Sequence, residues 1–365
     1  MLSPASMEIT PLKDWPFKFT GPLIISGPCS AESEQQVLET ARELKGRESA
    51  HIFRAGIWKP RTRPNSFEGM GEKALPWLLK VKKEVGLPIC TEVANASHVE
   101  LALKNEVDIL WIGARTTTGP FAVQEIASAL KGVDIPVMVK NPISVDIALW
   151  IGALERFSKV GITKLMAVHR GFSTTLDSRF RNGPNWKIPI ELKLLLPNLP
   201  LICDPSHIAG KRELIQEISQ KAMDLDFDGL MIESHIDPNN ALSDKSQQVT
   251  PQNLQQILRD LSYKTEFSPD KDFGPELEAL REKIDHIDFE LLENLKVRME
   301  IVKIIGESKR KSKITALQKN RIEFLLNQRV QKGRELGLSD DFVRDIFGHI
   351  HAESLKSQTD IISGV

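Results

Sequence analysis

Cysteine is scarce in this 365-residue chain, with only Cys29, Cys90 and Cys203. So sparse and odd a set argues against a disulfide-stapled scaffold and for a reducing, cytoplasmic setting. Charge of one sign is lacking too. The 48 Lys and Arg residues stand against 49 Asp and Glu, for a net charge of -1, so there is no basic surplus to meet a nucleic acid. No apolar run reaches membrane-spanning length, because charges interrupt each one, and no membrane partner is expected. Residues 1–20 lack the basic start and apolar core of a signal peptide. What remains, with 41% hydrophobic residues, is an ordinary globular composition. The length favours one large domain and one small one.

Between residues 21 and 262, short apolar runs alternate with amphipathic stretches such as 71–86 and 211–223. The runs fall at 23–26, 52–55, 88–93, 109–113, 136–140, 164–168, 199–203 and 230–233. Each reads as a strand buried on both faces of a parallel sheet. Eight such alternations predict a closed (β/α)8 barrel over residues 1–262 rather than an open doubly wound sheet. Residues 263–275 are polar, contain Pro269, Gly274 and Pro275, and read as a linker. Over 276–365 no strand pattern survives. Leu277, Leu280, Ile284, Ile287, Leu291, Leu295, Val302 and Ile305 recur at helical spacing and predict one long helix to about Lys311. A helix of that length cannot bury its stripe within so small a domain, so a homodimer or higher oligomer is expected. Thr315 to Gln318 has the pattern of a capping box for a second helix ending near Gly333. Ser339, Asp340 and Asp341 mark the start of a third.

In a barrel of this kind, functional residues gather where strands end. Those ends carry GPCS (27–30), Arg54, Glu92, Arg115, Lys140, Arg170, DPSH (204–207) and ESH (233–235). One charged residue at a strand end is commonly a solvated exit, but eight converging on one rim are not so easily explained. Cys29, His207, Glu233 and, after the last strand, Asp244 are potential ligands of a catalytic divalent metal. The mixed donor set suits Mn, Fe, Co or Zn without choosing among them. Cys90 and Cys203 lie inside apolar runs and read as core. Arg54, Lys59, Arg61, Arg115, Lys140 and Arg170 form a basic group suited to phosphate or carboxylate. Arg54 sits within a strand and Lys140 directly follows one, where an unpaired buried cation would be costly.

The segment KPRTRPNSFEG (59–69) resembles the signature of the 3-deoxy-heptulosonate-7-phosphate synthases. It is joined in family order by GPCS, TEV (91–93), IGAR (112–115), VKNP (139–142), HRG (169–171), DPSH and ALSD (241–244). Departures are Arg63, the threonines 116–118 and His169. The resemblance implies a metal-dependent condensation of phosphoenolpyruvate with erythrose 4-phosphate. Arg115, Lys140 and Arg170 would bind the enolpyruvate phosphate, and Arg54 and the catalytic Lys59 its carboxylate. Arg61 and Thr62 would take the erythrose phosphate, and Glu92 belongs to the substrate-binding set. The metal would sit on Cys29, His207, Glu233 and Asp244. An octulosonate-phosphate synthase, with the same donor and a longer acceptor, is the alternative.

On the long helix the buried stripe runs Leu291, Leu295, Arg298, Val302, Ile305, Lys309. Eleven residues at about 100° each return nearly to the same direction, so Arg298 and Lys309 face one way, on a seam that ought to be apolar. Arg321 on the second helix and Ser354 and Gln358 on the third join them, and together imply an enclosed anionic ligand. LEALREKIDHID (277–288) with this pattern resembles the all-helical chorismate mutases. That resemblance implies conversion of chorismate to prephenate. The arginines would hold the two carboxylates, Lys309 and Gln358 the ether oxygen, and Arg281 would serve the partner subunit's site. Ile322 and Gln318 stand where the family has acidic residues. A regulatory domain that binds prephenate as an inhibitor is the alternative.

Overall fold

Alternation with period two sets the architecture of the first unit. A computed structural model describes residues 7–59, 67–173, 179–263 and 273–363. Among them are eight strands: β1 (Leu23–Gly27), β2 (Ile52–Arg54), β3 (Ile89–Val93), β4 (Ile109–Ile112), β5 (Val137–Lys140), β6 (Leu165–His169), β7 (Leu201–Cys203) and β8 (Gly229–Glu233). Each pairs in parallel with the next, and β8 pairs with β1 to close the barrel. Successive side chains point alternately inward and outward. Leu23, Ile25, Ile52, Met138 and Met231 fill the interior with Trp15, from the segment ahead of β1. Ile24, Phe53, Val137 and Leu230 face the surrounding helices. Cys90 is buried in the inner core and Cys203 in the outer one.

The helices of this unit are α1 (Glu34–Gly46), α2 (Leu75–Lys80), α3 (Ala96–Lys104), α4 (Ala114–Thr117), α5 (Pro120–Ala129), α6 (Ile147–Lys159), α7 (Lys187–Leu195), α8 (Pro205–Ala209), α9 (Ile215–Asp224) and α10 (Pro251–Asp260). Side chains of Ser33, Asn95, Asp146 and Thr250 accept from backbone N–H groups at the starts of α1, α3, α6 and α10, which satisfies donors that the first turn cannot. Residues 71–86 are not the single helix expected. A 3-10 turn (Gly71–Ala74) gives way to α2, and a π turn (Val81–Val85) follows, ending on Gly86 at φ +74°. Pro76 has no N–H to donate and crowds the preceding turn, so a regular helix starts only at α2.

The chain divides into two compact units, Met1–Glu266 and Phe267–Val365. The second consists of α11 (Phe273–Lys311), α12 (Lys319–Glu335) and α13 (Asp340–Ser363). The start of α11 carries Pro275 in its first turn, where a missing N–H costs nothing. The capping box expected at Thr315 does not form. The Thr315 hydroxyl donates to the Leu317 carbonyl, and α12 starts later, behind Gln318, without a side-chain cap. Ser339 does cap α13, its Oγ accepting from Phe342 N at 3.3 Å. Both α11 and α12 pack on α13, yet Leu280, Ile284, Ile287 and Leu291 on α11 remain at least half exposed. No helix among the described residues is long and apolar enough to cross a membrane.

Candidate active sites of the two units

The alternation that fills the barrel with apolar side chains also brings a polar layer to its mouth. Arg54, Lys140 and Glu233 end β2, β5 and β8 on the inward-facing phase, and Asp204 follows β7 on the same phase. Trp111 of β4 lies beneath them, with the Arg54 guanidinium 4.8 Å and the Lys140 ammonium 5.8 Å from its ring centre. Its indole N–H donates to Glu92 Oε2 at 3.1 Å. Gly113 is needed beside this pair, since a Cβ there would stand 2.0 Å from Glu92 Oε1.

Each buried charge in the layer has a partner on the protein. Arg54 Nη2 is 3.3 Å from Glu233 Oε1, both side chains being almost fully buried. Lys140 Nζ is 2.6 Å from Asp204 Oδ2. Burial alone would raise the Asp204 carboxyl, but His207 and Lys140 beside it hold it well below the usual carboxylate range. Burial would likewise raise Glu233, which His207 and Arg54 bring below its ordinary value. Arg54 keeps two buried donors, Nε and Nη1, without a hydrogen-bond partner. That is an expensive state for a guanidinium unless an anion completes it.

Cys29 Sγ, a Glu233 oxygen and an Asp244 oxygen lie within 4.8 Å of one another. His207 is close by, its Nε2 3.7 Å from Glu233 Oε1 and its Nδ1 2.8 Å from Asp204 Oδ2. A proton on Nδ1 shared with Asp204 leaves the Nε2 lone pair available to a metal, the usual arrangement for a ligating histidine. Glu233 Oε1 is buried and accepts no hydrogen bond. The thiol and the two carboxylates converge, while His207 stands beside Glu233 but outside that triad. The donor chemistry of the four fits a divalent transition metal. Burial first, then Glu233, pushes the Cys29 thiol up to about 12, and Sγ donates to Asp244 Oδ2 at 3.3 Å. Metal binding would therefore displace a proton from Cys29. Lys59 Nζ stands 3.1 Å from the same sulfur.

A second group is positive. Arg170 is buried at the end of β6. Burial, with Arg181 and Arg115 nearby, lowers its pKa to about 10 against the pull of Asp204. Three guanidiniums sharing one mouth are arranged for a multiply charged anion. Arg61 and Thr62, with Arg63, lie outside the described residues. His169 faces outward, packed against Phe172 and Trp186, and burial lowers it to about 3. It is a neutral packing residue, which explains how it can stand at a strand end without joining the site.

Arg181 and Gln247, which no strand end or motif marks in the sequence, also belong to the site. Arg181 Nη1 donates to Asp244 Oδ1 at 2.9 Å and to Gln247 Oε1 at 2.6 Å, while Gln247 Nε2 donates to Glu233 Oε2 at 2.7 Å. One guanidinium thus orients two of the carboxylates, and Gly210 (φ +66°) makes room for it, since a Cβ there would meet Arg181 Cβ at 2.4 Å. Removing Arg181 relieves positive charge but loosens the carboxylates. Its side chain is 46% exposed, so the charge term is screened to about 1 kcal/mol or less. Loss of an orienting partner typically weakens metal binding by about 10–100-fold, and orientation should win. Arg181→Ala is expected to raise the dissociation constant for Mn or Zn, measured by equilibrium dialysis, by about tenfold or more. An unchanged constant would show that Asp244 and Glu233 hold themselves.

In the helical unit, Arg298 Nη1 donates to Ser354 Oγ at 2.6 Å, joining α11 to α13. Ser354 and Gln358 are buried, and Gln358 Oε1 has no hydrogen-bond partner. Lys309 Nζ donates to the Ala316 carbonyl at 2.8 Å. Arg321 is exposed, 5.8 Å from the Phe324 ring. Arg281 is exposed and pairs with Glu278 at 2.6 Å, apart from this cluster within the chain.

Fold and site define an anion-binding (β/α)8-barrel enzyme with an added helical unit. Residues 20–267 match the DAHP synthetase I family, and residues 280–359 match chorismate mutase type II. A phospho-2-dehydro-3-deoxyheptonate aldolase from Thermotoga maritima is 30% identical over 239 residues, 65% of this chain and 68% of that protein. A 2-dehydro-3-deoxyphosphooctonate aldolase from Polaromonas naphthalenivorans is 29% identical over 262 residues, 65% of this chain and 88% of that protein. The crystal structure of the Thermotoga maritima DAHP synthase superposes with a TM-score of 0.61 at 27% identity, covering 69% of this chain and 72% of that one. The chain belongs to the DAHP synthetase I family and carries a chorismate mutase type II domain. It is an enzyme of both classes.

Proposed function

We propose that the barrel condenses phosphoenolpyruvate with erythrose 4-phosphate, and that the helical unit converts chorismate to prephenate and senses prephenate as an inhibitor of the barrel. We take the barrel as residues 1–262, the linker as 263–275 and the helical domain as 276–365. The observation that carries the barrel reading is the cluster of Cys29, Glu233 and Asp244 facing Arg54, whose Nε and Nη1 lack partners.

In this reading Arg54 and Lys59 hold the enolpyruvate carboxylate, and Arg115, Lys140 and Arg170 its phosphate. Arg61 and Thr62 receive the erythrose phosphate. Cys29, His207, Glu233 and Asp244 would hold a divalent ion, which would supply Lewis acidity toward the aldehyde. The protein's part is to bring the enol carbon within bonding distance of the aldehyde carbon, with both anions fixed, which removes most of the entropic barrier. A carbon–carbon bond forms, the aldehyde oxygen becomes a hydroxyl, water adds at C2 of the former enolpyruvate, and phosphate leaves from C2. The Lys59 ammonium, beside Cys29, is placed to give the proton that the new hydroxyl takes and to regain one from the water that adds at C2.

The helical site needs no nucleophile. Its rearrangement is intramolecular, so holding one conformer and offsetting the charge that develops on the ether oxygen are sufficient. Arg298 and Arg321 hold carboxylates, while Lys309 and Gln358 face the ether oxygen. The exposed apolar stripe of α11 supports a dimer in which Arg281 completes the partner's site.

Purified protein given phosphoenolpyruvate and erythrose 4-phosphate should release one phosphate per seven-carbon product. Arabinose 5-phosphate should be a substrate poorer by about 100-fold or more, since sites built for one polar acceptor reject mismatches strongly. Equal rates with both acceptors, or no phosphate release with erythrose 4-phosphate, would overturn the assignment.

A further inference from the structure

The helical unit holds more positive charge beside Ser354 and Gln358 than Arg298 and Lys309 account for. Arg329 of α12 donates from Nη1 to Nε2 of His351 on α13 at 3.4 Å, and its guanidinium lies 4.8 Å over the Phe347 ring. Both residues are half-buried. His351, Ser354 and Gln358 follow one another at spacings of three and four, so they share one face of α13. Ser354 is the residue that Arg298 contacts, and Gln358 carries a buried oxygen with no hydrogen-bond partner.

The charged groups acting on Arg329 are Arg298 from α11 and Arg321 from its own helix. Those acting on His351 are Arg329 and Arg298. Among the described residues no carboxylate stands against either one. Burial, then these neighbouring cations, lowers both from their ordinary values. A guanidinium donating to a neutral imidazole beside two other guanidiniums gives little back to the fold. Such a group is completed by an anion arriving from outside.

We propose that Arg329 and His351 belong to the ligand site of the helical unit and hold a carboxylate of its dicarboxylate ligand next to the group that Arg298 takes. This rests on the reading of that unit as a chorismate and prephenate site. A carboxylate lodged there replaces repulsion by attraction. His351, neutral when the site is empty, then takes a proton from solvent on Nε2 as the ligand binds, which releases the Arg329 donor to turn to the carboxylate, and binding weakens as pH rises.

The test is calorimetric titration of the full chain with prephenate at pH 7 in two buffers of different ionisation enthalpy, with helicity followed by circular dichroism. Wild type should take up a measurable fraction of a proton on binding. His351→Gln should bind about tenfold more weakly with no proton uptake, and Arg329→Leu should lose about tenfold or more, the effect of one charge-assisted hydrogen bond. Arg329→Lys, which keeps the charge without the fork, should recover part of the loss. Arg298→Ala reports on the parent reading. If it abolishes binding while Arg329→Leu and His351→Gln bind with wild-type affinity and proton uptake, the proposal is wrong and the parent reading stands. If wild type binds no prephenate, both fall together.

Discussion

Stripping divalent metal from the chain is expected to abolish condensation, and adding Mn, Co, Fe or Zn back should restore it. Cys29→Ala and His207→Ala should each lower kcat by about 10³-fold or more, on the scale of losing a main electrostatic stabiliser of a developing alkoxide. These are losses of ligation rather than of fold. Cys29 is fully buried, but removing its thiol to leave a methyl side chain opens only a small void, costing about 1–2 kcal/mol. A melting temperature lowered by only a few degrees alongside a collapse in kcat would separate the two effects. The thiol is protonated in the free chain, so metal uptake should release a proton, and metal affinity should rise with pH. Undiminished turnover in chelated protein would remove the metal from the mechanism, leaving Cys29 as a buried donor to Asp244.

Much of the barrel mouth was legible because strand geometry has a short, rigid period. Once β2, β5 and β8 are recognised, alternation puts Arg54, Lys140 and Glu233 inside, above the apolar layers, without further information. The same regularity carries Arg298 and Lys309 to one side of α11, but Leu291 and Ile305 of the stripe expected to be buried stand exposed within the chain, and Val302 is the buried apolar member. Part of what escaped lies outside the long helices and strands. Arg181 reaches Asp244 from a bend and Gln247 reaches Glu233 from a short 3-10 turn, so only tertiary structure shows that one guanidinium serves both carboxylates. Trp111 was hidden as one apolar residue within an apolar run, although its ring carries Arg54 and Lys140. Arg329 and His351 lie on different helices, and neither breaks its own helix's pattern enough to suggest the other. The Thr315 signal failed for a related reason. A capping pattern states only that a hydroxyl can cap, and here it donates to a nearby carbonyl instead.

Arg298→Ala should remove chorismate rearrangement by about 10³-fold or more, since a guanidinium on a substrate carboxylate both positions and stabilises. Condensation by the barrel should be unchanged. Folding should survive, because taking away one member of a cationic cluster leaves no buried charge unpaired. The same variant should also uncouple the barrel from prephenate. The barrel's product is not the helical unit's substrate, so passing an intermediate between them cannot explain why the two share a chain. A ligand of one unit that biases the other can. Such coupling requires that prephenate bind two arrangements of the chain unequally, and couplings of this kind are typically ~1–3 kcal/mol, or about 5–150-fold in affinity. Prephenate is therefore expected to inhibit phosphate release in the intact chain, but not in a chain ending at Ser262 nor in Arg298→Ala. If prephenate inhibits the shortened chain as strongly as the intact one, it binds at the barrel. The arginines of the helical unit then have no part in control, and their remaining role is the rearrangement alone.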